Sequence, residues 1–397
     1  MSYAEHFELQ TIERKKNIAM EKRNVFVLII IVLFSISCEK ENIVEVFKTH
    51  KWNNHPAFQY DNSILLNSFS VDSSYMVISG TDFFSKVGDV ANLGGYDSIF
   101  EDDFIKQKNI AIKPVSRKIP ITSQITVTYK ETGSSAAQVN FISTANYGSA
   151  ASYSTTLKME EVDPTFSGFN FERAAWNDCI AINENGQVLI PYYSRSNEVV
   201  QLRLLLVNTQ QTGSSMLPTE ILDTKIIKIE DEYEYHVNYL QSSNELFFVT
   251  TDSKTYRIDT EGNLTDKFDD FHLYDMVQRN DTLYAFGYDF TLGQNEFLHS
   301  TNNGKIWNKT STSEFEIAHL NLTTIEDKTI GYWRSQIWQV MFSDSGYSVV
   351  ELDNDGLAGE IITSITAYKN KVYVTTRSGL FYRNLSNLFE IKEAGSN

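Results

Sequence analysis

The chain has 397 residues and a formal net charge of −17, from 34 basic and 51 acidic side chains. Its 42% hydrophobic and 13% aromatic content excludes an intrinsically disordered chain, and its 6 Pro and 19 Gly exclude collagen-like and Pro-rich classes. The acidic balance argues against a nucleic-acid partner, whose phosphates need clustered Lys and Arg.

At the amino terminus, Lys22 and Arg23 precede the apolar run Val25–Ile36, in which only Ser35 is polar, and Ser37-Cys38 follows. A basic segment, a short apolar segment and a small residue in that order make a secretory signal peptide, predicted over residues 1–37. The run is too short for a spanning helix, which needs about 20 apolar residues. Met20 is a second start candidate. Residues 1–19, which carry Glu5, Glu8 and Glu13, are unusual for a signal and are expected to lie upstream of the true start or to be discarded with it. Phe34-Ser35-Ile36-Ser37-Cys38 resembles the lipobox of bacterial lipoproteins, with Ser35 where Leu is usual. The resemblance implies that Cys38 is acylated and becomes the first residue of the mature chain. It also implies that the lipid anchor is the contact with the membrane. The expected location is the outer membrane, on its periplasmic or cell-surface face, since Glu39 stands where an inner-membrane retention signal has Asp. Each buried CH₂ of the acyl chains contributes about 0.8 kcal/mol. Cleavage removes five basic and four acidic side chains and leaves 360 residues at a net charge of −18. With Cys38 acylated, Cys179 has no disulfide partner and reads as a small apolar residue on a strand.

Residues 38–70, including Trp52, Asn53 and Asn54, are expected to form a tether leading into the first strands or a ring closure, and 71–397 a β-propeller. From residue 64 onward, period-two and short apolar runs dominate, as in Tyr75–Ser79, Gln124–Tyr129, Val199–Leu206 and Lys371–Thr375. They are rich in Val, Ile, Thr and Tyr and are bounded by Gly, Asn, Asp and Ser. No later stretch sustains a helical stripe through three turns. Internal repeats choose among sandwich, barrel and propeller. Asn244–Arg257 aligns with Asn370–Arg383 at an offset of 126 without a gap, matching Asn, Thr, Tyr and Arg at 244/370, 250/376, 256/382 and 257/383. A turn pattern of apolar residue, Asn or Asp, two polar residues and Gly recurs at Ile182–Gly186, Ile258–Gly262 and Leu352–Gly356. Taking one inner strand per repeat places starts near Tyr75, Ile125, Val188, Leu246, Leu283, Ile330 and Val372. The spacing, about 51 residues for the mature chain, is close to that of a four-stranded blade. The fold class is therefore all-β, a propeller of about seven four-stranded blades, with six or eight as alternatives.

Ser300-Thr-Asn302-Asn-Gly304-Lys-Ile-Trp307 resembles the Asp-box, Ser-x-Asp-x-Gly-x-Thr-Trp, of BNR-type β-propellers, with Asn302 for Asp and Ile306 for Thr. The resemblance implies a structural role for Ser300, Asn302, Gly304 and Trp307 on the outer hairpin of a blade, away from the axial ligand site. That family includes sialidases, which carry three Arg, a Tyr–Glu pair and a Phe/Tyr-Arg-Ile-Pro string. The nearest strings here, Arg117-Lys118-Ile119-Pro120 and Tyr256-Arg257-Ile258-Asp259, depart from it. Paired carboxylates at Asp102-Asp103, Glu160-Glu161 and Asp269-Asp270 read as solvated surface. Glu351-x-Asp353-x-Asp355-Gly356 begins like a calcium loop but has Ile362 at position twelve, so it reads as a turn. No metal set, nucleotide loop or nucleophile elbow is present, and no cofactor is expected.

Tyr192-Tyr193, Asp289-Phe290, Tyr332-Trp333-Arg334 and Trp338 are the candidate binding aromatics, weighed against filling blade interfaces. Asp97-Ser98-Ile99 and Asp281-Thr282-Leu283 resemble an envelope O-glycosylation sequon. The expected function is non-catalytic binding of a protein or glycan. The alternatives are a divergent sialidase-like, glycoside-acting enzyme and an envelope assembly or structural factor. Replacing Cys38 with Ala is expected to leave an unprocessed precursor and to abolish labelling by a palmitate analogue, read on a gel of metabolically labelled cells.

Overall fold

The computed structural model describes residues 51–58, 64–71, 75–80, 84–88, 100–101, 104–109, 125–132, 136–143, 154–166, 180–196, 199–212, 219–229, 237–252, 254–312, 314–343 and 345–392. Among them the strands pair in seven antiparallel sheets, five of four strands, one of five and one of three. The chain is a seven-bladed β-propeller. Blades 1 and 2 hold the five and three strands, beginning at Leu65–Val71 and Ile125–Thr132. Blades 3 to 6 begin at Ala181–Ile182, Val237–Ser243, Phe271–Arg279 and Asn321–Ile325. Blade 7 joins Ile362–Tyr368, Lys371–Thr376 and Leu380–Asn384 to the early strand Asn53–Asn54.

Burial on both faces explains the apolar runs. In the blade 3 strand Val199–Gln211, Leu202, Leu204 and Leu206 enter the core shared with blade 4. Leu205 and Val207 enter the core shared with blade 2. A strand covered on both faces need not alternate. The expected repeat starts fall on second strands rather than inner ones, except Ile125, which opens the first described strand of blade 2. The reason is visible in blade 6. Its first strand, Asn321–Ile325, is mostly half-buried and polar, whereas its second, Lys328–Trp333, is buried through its middle and carries the stronger apolar signal.

The ring closes on residues from both ends of the described chain. Asn53 and Asn54 pair with Tyr382 and Phe381, so the propeller's strands start inside the 38–70 segment, ahead of residue 71. Trp52 is 2% exposed and lies in the core between blades 6 and 7. Its backbone N–H donates to the Asp355 carbonyl at 2.8 Å, and its indole N–H donates to the Asp353 carbonyl at 3.3 Å. The Arg383 guanidinium sits 5.4 Å from the indole ring. Gly356, at φ +96°, lies so close that a Cβ there would come within 2.3 Å of the Trp52 carbonyl oxygen.

First strands of blades 3 to 7 pack on one another in turn, and that of blade 7 packs on that of blade 1. Four of them carry a β-bulge near their start, which leaves Leu66, Asn238, Tyr274 and Thr363 without a cross-strand partner. The residue after the bulge reaches the neighbouring blade. Asp275 accepts a bond from the Tyr239 hydroxyl of blade 4 at 3.2 Å and from the Leu322 N–H of blade 6 at 2.9 Å. Ser364 of blade 7 accepts a bond from the Ser68 N–H of blade 1 at 3.3 Å, and Thr363 donates to the Leu65 carbonyl at 2.9 Å.

The 126-residue alignment is one residue out of register. Turn-closing pairs Ser243–Leu246 and Thr250–Thr255 of blade 4 correspond to Tyr368–Lys371 and Thr375–Leu380 of blade 7, an offset of 125. Facing agrees with this. Phe247 and Val372 both look to the preceding blade, and Phe248 and Tyr373 both look to the following one. A slip of one residue reverses every side chain. Arg257 and Arg383, matched by identity, therefore point to opposite sides of their blades. Arg257 donates to the Asn303 carbonyl of blade 5 at 2.7 Å, whereas Arg383 donates to the Asp353 carbonyl beside blade 6 at 2.8 Å.

Trp52→Ala should destabilise the closed ring by about 3–5 kcal/mol, the range for truncating a large buried ring. A fall in the denaturant midpoint checks this, and an unchanged midpoint would show that closure does not depend on the indole.

Candidate functional site

Two faces of the ring differ in chemistry. On one face, where third strands turn into fourth, Ser300–Trp307 forms the tip of blade 5. Ser300 Oγ accepts a bond from the Gly304 N–H at 3.0 Å and donates to Asn302 Oδ1 at 2.9 Å. Asn302 Oδ1 also accepts from the Ile306 N–H at 2.9 Å. Gly304 has φ +75°, and a Cβ on it would lie 2.5 Å from the Phe248 ring. Trp307 is 8% exposed and meets Phe248 and Phe271 edge to face at 6.0 and 6.1 Å. The structure thus brings Ser300, Asn302, Gly304 and Trp307 together in one turn that plugs the interface of blades 4 and 5, with Arg257 holding it from blade 4.

The repeated Asn/Asp-to-Gly turn has one local chemistry at different places in the blades. Asn183 Oδ1 accepts from the Asn185 and Gln187 N–H groups, and Asp259 Oδ1 accepts from Glu261 and Asn263. The first turn joins strands one and two of blade 3, and the second joins strands three and four of blade 4. Asp353, in the string that begins like a calcium loop, accepts from the Asp355 N–H at 3.0 Å, and Glu351 pairs with Lys392 at 2.9 Å. Among the described residues no group of three or more His, Cys, Asp or Glu is placed to hold a metal ion. Cys38, Cys179, Asp97–Ile99, Asp102-Asp103 and Arg117–Pro120 lie outside the described residues.

Of the candidate aromatics, Tyr192, Tyr193, Tyr332 and Trp338 are buried and fill blade interfaces. Tyr192 donates to Asp163 at 2.7 Å, and Arg203 pairs with the same carboxylate at 2.6 Å. Burial pushes the Asp163 pKa up, but bonds from Thr165, Tyr192 and Arg203 outweigh it and hold the carboxyl at about 2. Tyr192 is 0% exposed, and its hydroxyl is committed to this internal carboxylate.

The other face, where first strands begin and second strands end, is the entry face. There Phe290 and Trp333 meet rings that the pattern of strand ends did not single out. His272 lies 4.9 Å from Tyr274, 5.8 Å from Tyr288 and 4.9 Å from Phe290. Tyr274 stacks on His319 at 4.4 Å, and Phe315 lies 4.1 Å from His319. Trp333 is 5.7 Å from His319. The bulge turns Tyr274 toward blade 6, and the short helix Phe315–Ala318 presents Phe315 and His319 one turn apart. That i, i+4 spacing was the available sequence signal. The fold brings His272 and His319 into one cluster although 46 residues separate them in the chain.

Neither ring nitrogen of His272 has a hydrogen-bond partner among the described residues. Burial, then the neighbouring His319 charge, lowers its pKa from 6.5 to about 4, against a smaller opposing pull from Asp252. Beside it, Lys309 pairs with Asp289 at 2.8 Å and with Asp270. Burial opposes the Lys309 charge, but the two carboxylates outweigh it and raise its pKa.

No protein-family model matches the chain, and the search of curated proteins gives no relative. Solved structures similar to it include the WD40 domain of Neurospora crassa Pan2, at 10% identity and TM-score 0.48, over 87% of this chain and 98% of that one. A catalytically inactive virginiamycin B lyase from Staphylococcus aureus, with quinupristin, is similar at 10% identity and TM-score 0.49, over 84% and 97%. BamB from Moraxella catarrhalis is similar at 11% identity and TM-score 0.37, over 84% and 99%. At these identities the likeness is one of fold and assigns no activity.

Trp307→Ala should cost about 3–5 kcal/mol, because it empties the interface of blades 4 and 5. A lowered melting temperature with ligand binding retained by the folded fraction is the expected result, and the reverse would place Trp307 in a binding site. Because the folded state keeps His272 neutral, the unfolded chain binds the extra proton between pH 6.5 and about 4. Stability from this group is therefore lost as pH falls through that window. His272→Phe should flatten the decline in melting temperature between pH 7 and pH 4.5 relative to the unaltered chain.

Proposed function

We propose that this chain is a lipid-anchored cell-envelope protein whose propeller binds a protein or glycan without turning it over. One observation supports binding above all. Five of the ten exposed large apolar side chains among the described residues lie on the entry face, at Ile64, Phe290, Leu292, Phe315 and Ile361, and three of them, Phe290, Leu292 and Phe315, border one ring cluster. Single exposed apolar residues need no explanation, but a series on one face marks an interaction surface. Exposed rings on loops of a rigid scaffold are the usual anchors of recognition.

The entry face argues against glycoside chemistry. An acid and a second carboxylate must flank the scissile bond with their protonation states set apart. The two carboxylates beside the ring cluster, Asp270 and Asp289, are both engaged by Lys309. Burial pushes the Asp289 pKa up, but the bonds it accepts from Lys309 and from the Leu292 and Thr291 N–H groups outweigh this and lower it. Anchoring rests on the Cys38 sequence context, and the outer-membrane location rests on the same signal.

The test incubates the full chain with fluorogenic glycosides, including a sialoside, and in parallel with glycan and envelope-protein arrays. Saturable binding without turnover is expected. Turnover that disappears on replacing an entry-face carboxylate would overturn the reading in favour of an enzyme, and neither binding nor turnover would overturn it in favour of a structural factor.

A further inference from the structure

The rings on the entry face of blades 5 and 6 form one continuous strip. Phe290 meets His272, His272 meets Tyr274, Tyr274 stacks on His319, and Phe315 and Trp333 complete the row, 6.4 Å apart and nearly perpendicular. The strip is open at both ends. Phe290 is 39% exposed and Phe315 60%, and Leu292, in the same turn as Phe290, is 63% exposed.

Uncompensated charge along the strip is negative. Glu314 and Glu316 flank Phe315 in the chain, are exposed, and form no ion pair among the described residues. Lys309 is held by Asp270 and Asp289, while Arg334, exposed and 5.9 Å from the Trp333 ring, forms no ion pair among the described residues, so two free carboxylates stand against one guanidinium and the balance is negative. The chain as a whole carries −17. The exposed side chains at the ends of the strip, Phe290, Leu292 and Phe315, are apolar. Apolar side chains flanked by cations fit both features, since cations gain from exposed aromatic faces and from the carboxylates together.

We propose that this strip is the docking site for a polypeptide segment that seats apolar side chains on Phe290, Leu292 and Phe315 and flanks them with Lys or Arg. The assignment rests on the binding reading above and names the occupant of that face. Rings presented at both ends of a strip anchor the segment at two points, and the carboxylates at the Phe315 end set its direction.

The test immobilises the full chain and measures binding of a synthetic peptide alternating Leu with Lys. A counterpart with Glu for Lys, a counterpart with Ser for Leu and a glycan array run beside it. The Leu–Lys peptide should bind saturably and weaken severalfold as salt shortens the screening length below ~8 Å. Both counterparts should bind about tenfold more weakly or worse. Phe290→Ala combined with Phe315→Ala should lose about tenfold in affinity, a hot-spot effect, while the variant stays folded at the assay temperature, checked by its melting curve. Equal binding to the double variant, or equal binding of the Ser counterpart, would overturn the proposal. Glycan binding without peptide binding would overturn the occupant while leaving the binding reading intact. Absence of any ligand would overturn both.

Discussion

Every blade interface depends on the ring being shut, and it is shut by a short strand from near the beginning of the described chain. Asn53 and Asn54 supply the fourth strand of blade 7, so residues more than 300 positions apart belong to one sheet. Trp52 makes that pairing worth more than its backbone bonds. A buried indole removes about 150–250 Å² from water, and its neighbours Leu352, Leu357 and Phe381 come from blade 6, the connecting turn and blade 7. Open the ring, and the faces of blades 1 and 7 that pack through Phe58, Leu65, Met76, Tyr368 and Tyr373 lose their partners.

Closure alone does not order the centre. In blade 6 the first strand is more polar than the second behind it, and polar side chains of first strands are satisfied across blade boundaries. The bulges do this by adding one residue and changing the aim of the next. Asp275 is 4% exposed and tied to blades 4 and 6 at once. A buried carboxylate is costly without hydrogen-bond donors, and donors from two neighbouring blades make it a fixed spacer. The Ser68–Ser364–Thr366 group performs the same task between blades 1 and 7 with hydroxyls.

The two faces use aromatic rings in opposite ways. Trp307 is drawn inward by the Ser300–Asn302–Gly304 turn and spends its surface on Phe248 and Phe271. Phe290 and Phe315 keep theirs in solvent while resting on His272 and His319. The neutral His272 ring holds Phe290 in place without adding positive charge to an acidic face.

All-β character, the propeller and its seven repeats were legible in the sequence, because burial on both faces of each blade writes continuous apolar runs at regular spacing. The Ser300–Trp307 turn was legible for a similar reason, since its bonds are local and need only the right residues within eight positions. Register was not. Arg257 and Arg383 coincide in an identity alignment yet face opposite ways, because facing depends on a single residue counted from a turn. Nor was the entry-face strip. The tertiary structure alone separated Phe290 from Tyr192, which look alike in the chain, by placing one on an open turn and the other between blades. The sequence by itself determined which segments become strands and which turns close them. Only the tertiary structure decided which aromatic rings meet across 46 residues of chain and which stay exposed, since burial is a property of neighbours that local pattern cannot supply.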